Sequence, residues 1–368
     1  MVKEKKMRHA VDVFRVRYWY RGVMRELKLN TAYKVERQIE PEHFHIRDRR
    51  TVYPVKWTRY KLGENTPQKK LVLTTDNLAK GSKYELDHSL WTILKKLTAK
   101  NFKATEYIQS LDPTIQALIL QSPKNRLNES RTWISYTNSK AQVLLRRGTL
   151  DALAALVLYW HEAKSHKNHQ QIESITLSIY HMLLLIGWDV RDRQLLSEFF
   201  SLFKAEIFDK TAWANGSFAV DKDTFEISIC LLHNRYGANL NKDAMKASDW
   251  RKEMSRIQNL LTIDTGFDIW FAMKPLCLPQ WNFGPPTRSE VMHWEIYRRH
   301  WAWGWDCLLH NKKVDYPDND LYEYDLNTDC IVTRSEDIYL QIQDIKWSPI
   351  PKTSILMLYG QPFYSSDV

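Results

Sequence analysis

Glycine is scarce in this chain: 11 residues in 368, with no two closer than eighteen positions. The phosphate-cradling loops of dinucleotide-binding folds, P-loop proteins and kinases depend on clustered glycines, because their backbone must approach a phosphate closely and adopt positive φ. The sequence therefore excludes the usual ATP-driven and nicotinamide-dependent chemistries, and no G-x-S-x-G stretch supports a serine hydrolase of the α/β type. Cysteine is scarcer still. Cys230, Cys277, Cys307 and Cys330 are widely spaced and no leader of the charged, apolar, small-residue type precedes them, which disfavours a secreted disulfide scaffold and suits a reducing, cytoplasmic setting. Long apolar runs are lacking too. The longest, about 175 to 188, is shorter than the roughly 20 residues of a membrane span and holds Ser178, Tyr180 and His181, so it reads as a buried helix.

What the chain does have is apolar material and positive charge. Hydrophobic residues make up 44% and aromatics 12% of it, enough for a substantial core and more than one domain. The net charge is +10, and its distribution is uneven: residues 1 to 100 hold 24 Lys and Arg against 11 Asp and Glu, whereas the segment from Asn311 onward is acidic. A positive face concentrates anions whatever the fold, which makes nucleic acid the leading partner class, with other protein subunits as further partners and no membrane.

Residue patterning predicts an α+β protein in three parts: a basic, β-rich N-terminal domain (1–86), a central antiparallel helical bundle (87–212) and a mixed region with short C-terminal strands (213–368). Val11 to Tyr20 and Thr51 to Lys61 are rich in β-branched and aromatic residues and read as strands, with Gly63 to Pro67 as a turn and Leu71-Val72-Leu73 as a third strand. From Asp87 the period becomes helical. Pro113 is placed to open a helix, Thr149 to cap one, and Gly187 to end one.

On the strand reading, Arg15 and Arg17 share one face, continued by Arg21, while Phe14, Val16, Tyr18 and Tyr20 fill the core. Arg47, Arg49, Arg50, Lys56, Arg59 and Lys61 add phosphate-sized charges, and Trp57 offers a ring for base stacking. A helix over Trp250 to Leu261 carries Arg251, Lys252 and Arg256 opposite an apolar side, in outline like a helix-turn-helix, although an ordinary amphipathic helix explains it. His161, His166 and His169 lack the spacing of a zinc-protease helix, so no metal is assigned. The sequence-based expectation is a non-enzymatic nucleic-acid-binding subunit or adaptor without a cofactor. Two alternatives stand beside it. One is a restriction-type nuclease using Asp329, Asp344 and Lys346 with Mg²⁺, and the other a protein-binding scaffold for an acidic partner.

Overall fold

A computed structural model describes residues 8–44, 46–47, 50–51, 55–97, 99, 102–121, 132–213, 216–235, 247–262, 267–278, 288–310, 323–325 and 330–332. The chain divides into two compact units, Met1–Thr211 with Leu232–Arg256, and Ala212–Leu231 with Ile257–Val368.

The expected β-rich N-terminal domain is not there. Ala10–Glu26 is a seventeen-residue helix, α1, and it buries Val11, Phe14, Val16, Tyr18, Trp19, Tyr20, Val23 and Met24. Burial on most sides of a helix uses the same β-branched and aromatic residues that a strand would, so composition alone misassigned it; packing overrides that preference. Helix α2 (Ala32–Ile39), α3 (Lys56–Lys61), α4 (Lys69–Leu78) and α5 (Ser82–Asp87) follow. Two of the expected strands thus lie largely in α3 and α4, and the α+β class is replaced by a helical one. Between α2 and α3 the described residues form a 3₁₀ turn, Pro41–His43, and a short antiparallel pair, Ile46–Arg47 with Arg50–Thr51. Helices α1 to α5 close over one apolar cluster that includes Trp19, Tyr20, Val35, Trp57, Tyr60, Leu71, Val72 and Leu86. Trp57 stacks on Trp19 at 5.4 Å, and Tyr60 meets both indoles edge-on.

The remainder of the first unit is helical as expected. Helices α6 (Ser89–Lys96), α8 (Pro113–Ile119) and α9 (Asn138–Leu145) pack on α10 (Leu150–Ser165), whose residues Ala152 to Trp160 are all buried, and the short α7 (Thr105–Ile108) lies between α6 and α8 in the chain. Pro113 opens α8 behind an Asp112 cap, and the Thr149 hydroxyl caps α10 by accepting from the Ala152 amide. Helix α11 (His169–Asp192) packs on α10 and runs straight through Gly187, and α12 (Leu196–Glu206) follows. Three helix ends place a side-chain-bearing residue where glycine is usual: Lys28, Lys167 and Gln194 have φ of 55°, 54° and 57°. Each is followed by an amide that bonds to the carbonyl five residues back, Leu29 to Met24, Asn168 to Ala163 and Leu195 to Val190.

Beyond residue 211 come α13 (Lys222–Arg235), α14 (Ala247–Leu260), α15 (Phe267–Ala272) and α16 (Arg288–His310). In the second unit α15 and α16 lie close together because Gly304 faces the Asp268 carbonyl and Ala272 amide, where a Cβ would come within 2.5 Å and 2.9 Å. Ser217–Phe218 pairs with Cys277–Leu278, Glu323–Asp325 pairs with Cys330–Val332, and in the first unit Leu120–Gln121 pairs with Thr132–Trp133. The expected strand at Tyr339 to Ile342 lies outside the described residues. Among those residues no helix is long and apolar enough to cross a membrane.

Candidate nucleic-acid interface

Helix α1 disperses the arginines that a strand would have aligned. Two residues apart on a helix is about 200° of rotation, so Arg15 and Arg17 leave opposite sides. Arg15 pairs with Asp12 at 3.3 Å and Arg17 with Glu198 at 2.9 Å, each largely shielded; Arg21 is half-buried beside Tyr20. Lys56 is bound to Glu40 at 2.7 Å. Trp57 is fully buried, and its Nε1–H donates to Glu40 Oε2 at 3.0 Å, so no base reaches its ring. The backbones of Arg47 and Arg50 face each other across the hairpin. Arg49, the side chains of Arg47 and Arg50, and Asp329, Asp344 and Lys346 lie outside what is described. Of the basic residues expected in the interface, Arg59 and Lys61 stand exposed on α3.

Other exposed cations join them that strand reasoning missed. Lys34 and Arg37 lie on α2, Lys69 and Lys70 on α4, and Lys80 and Lys83 just after it. Among the described residues none of these, nor Arg59 or Lys61, has a carboxylate partner within ion-pair distance. The available signal was the helical period of residues 69 to 78, where Leu71, Val72 and Thr75 turn inward and Lys70, Leu73, Thr74 and Asn77 outward.

Two buried polar clusters hold the scaffold that carries this surface. Arg193, 2% exposed, donates to Glu85 Oε2 at 2.8 Å and to the Tyr18 carbonyl at 3.1 Å, lies 3.3 Å from Asp189, and stacks over the Tyr18 ring at 4.0 Å. Arg25 reaches the other Asp189 oxygen at 2.7 Å. Two cations and two carboxylates thus balance inside the fold and tie α1, α5 and α11 together. Gly22 is part of the arrangement, since a Cβ there would collide with Glu85 and the Arg193 guanidinium. In the second cluster His88 Nδ1 accepts from the Leu90 amide at 3.1 Å, which leaves Nε2 facing Asp151 at 3.4 Å. Asp151 also accepts from the Tyr84 hydroxyl and from the Asp112 amide at 2.9 Å. Burial alone would raise the Asp151 pKa; His88, Tyr84 and the Asp112 amide outweigh it and hold the carboxyl below its ordinary range.

These clusters are arranged as fasteners, with their hydrogen-bonding capacity directed at one another. Histidines elsewhere serve packing. His161 meets Phe102 edge-on at 4.5 Å and burial lowers its pKa. His233 stacks on Trp188 at 5.4 Å, and its Nε2 lies 3.2 Å from the Leu184 carbonyl. Among the described residues no group of three His, Cys, Asp or Glu side chains converges as metal ligands would. On α14, Met254 and Ile257 are buried while Arg256 is exposed near Glu253, the pattern of an amphipathic helix. No protein-family model matches this chain, and no curated protein or solved structure matches it either.

Proposed function

We propose that this chain is a non-enzymatic nucleic-acid-binding protein, a subunit or adaptor of a larger cytoplasmic assembly, which meets phosphates through the exposed cations of α2, α3 and α4. One observation carries the reading. Lys34, Arg37, Arg59, Lys61, Lys69 and Lys70 are exposed on helices that pack together, and no carboxylate among the described residues neutralises them, whereas Arg15, Arg17 and Arg25 of α1 are drawn into ion pairs. Only Glu42 and Glu64 stand exposed as acids between residues 32 and 78 of the described chain. Unpaired surface cations supply counterion-releasing contacts to a phosphate backbone, and paired ones do not. Exposed Val55 and Leu62 at the two ends of α3 suit contact with a further subunit.

Binding to labelled nucleic acid across a salt series tests the proposal. The expected result is a steep loss of affinity with rising salt, and a slope shallower by about one for each phosphate contact removed when Arg59, Lys61 and Lys69 are changed to Glu. Reversing Arg15 and Arg17 should instead lower stability, because Asp12 and Glu198 would then face like charges. Absent or salt-insensitive binding would refute the reading.

A further inference from the structure

Helix α4 is attached to its neighbours by a narrow stripe. Leu71, Val72 and Thr75 are buried, while Lys70, Leu73, Thr74 and Asn77 recur at the three- and four-residue spacing of a single opposite face, and all four are exposed. That face holds no carboxylate. The one acid of the helix, Asp76, is turned about 120° away from it and accepts from the Lys83 amide at 2.8 Å. The Thr74 hydroxyl donates to the Lys70 carbonyl at 3.1 Å, which fixes its rotamer, and Asn77 has no hydrogen-bond partner among the described residues. Cations flank the face along the chain, Lys69 at the start of α4 and Lys80 just beyond its end, and Arg59 and Lys61 stand exposed on the helix before it.

Resting on the polyanion reading above, we infer that α4 enters the major groove of duplex DNA and reads base edges with Lys70, Leu73, Thr74 and Asn77. The chemistry of the face matches what the groove presents: an amide for the paired donor and acceptor of adenine, an ammonium for the guanine acceptors, and methyl groups for the thymine methyl. The dimensions match as well. Lys70 to Asn77 spans about 10 Å of helix, or about three base-pair steps, and the groove, about 12 Å wide, admits a helix. Other nucleic acids fit less well. The deep, narrow major groove of duplex RNA excludes a helix. Single strands call for exposed rings as stacking platforms, yet Trp57 and Tyr60 are buried, and the exposed Tyr33 and Tyr84 are tied down, Tyr33 edge-on against Phe44 at 5.3 Å and Tyr84 through its hydroxyl to Asp151.

Selection of preferred sequences from a random duplex DNA pool, followed by affinity measurements on the enriched and a shuffled duplex, tests this. The intact protein should enrich a core of three to four base pairs. Asn77→Ala should lose about tenfold or more on the enriched duplex and relax one base position, with affinity for the shuffled duplex and the salt slope unchanged. Thr74→Ala should relax a neighbouring position. Both side chains are exposed, so circular dichroism and melting should match the parent. Salt-sensitive binding without an enriched motif, equal binding to duplex RNA or a single strand, or a motif that both variants leave intact would overturn the groove reading while leaving the polyanion reading standing. Failure to bind any nucleic acid would overturn both.

Discussion

Arg193 lies out of solvent between Glu85 and Asp189, and its place shows what a single side chain costs to remove from this fold. Arg193→Met should destabilise the protein by about 3–5 kcal/mol in chemical denaturation, because it strands Glu85 without its cation and leaves Asp189 with Arg25 alone. Gly22→Ala should cost about 1–3 kcal/mol by forcing the same ion pair off α1. A separate signature belongs to His233, whose pKa burial lowers to about 4. With an unfolded value near 6.5, the unfolded chain takes up the proton first, so stability should fall as pH drops from about 6.5 to about 4, by up to roughly 3 kcal/mol. His233→Phe, which keeps a ring against Trp188, should flatten the urea-midpoint profile in that window. Asp151 acts at lower pH with the opposite origin. Its depressed pKa supplies stability that is present at neutral pH and lost as the carboxylate protonates.

At the scale of elements, the three helix ends at Lys28, Lys167 and Gln194 carry a conformation that costs a side-chain-bearing residue roughly 1–2 kcal/mol. Replacing Lys28 or Gln194 by Gly should therefore raise stability by up to about 1 kcal/mol, readable as a higher melting temperature. This also explains where the sequence misled. With so few glycines, Gly187 looked like a terminator, but α11 passes through it and stops seven residues later at a glutamine. Helices whose start is marked in the sequence, such as α8 at Pro113 and α10 behind Thr149, were legible. Helix α1 was not, because it is buried on most sides, and its run of Val, Phe, Tyr and Trp has neither a clean helical period nor strict alternation. The interface inherited that error. Arg59 and Lys61 were found because they are basic and exposed on either reading; Lys69 and Lys70 were missed because their segment was taken for a strand. Trp57→Ala should cost about 3–5 kcal/mol, as expected of a core residue rather than a base-stacking one.

At the scale of the molecule, the first unit is completed by chain that returns to it after residue 231. Met254 packs where a Cβ on Gly148 would sit, and His233 covers Leu184 and Trp188. A fragment ending at residue 211 should accordingly melt more than about 5 °C below one ending at residue 260, as followed by circular dichroism. The sequence by itself determined the excess of basic residues near the N-terminus, the exclusion of glycine-loop nucleotide chemistry and the helical middle, since these follow from counts, spacing and caps. Tertiary structure alone decided which cations remain unpaired. A residue's charge is written in the sequence, but whether a carboxylate meets it depends on which helices pack together. Arg17 and Glu198 are 181 positions apart in the chain and 2.9 Å apart in the fold.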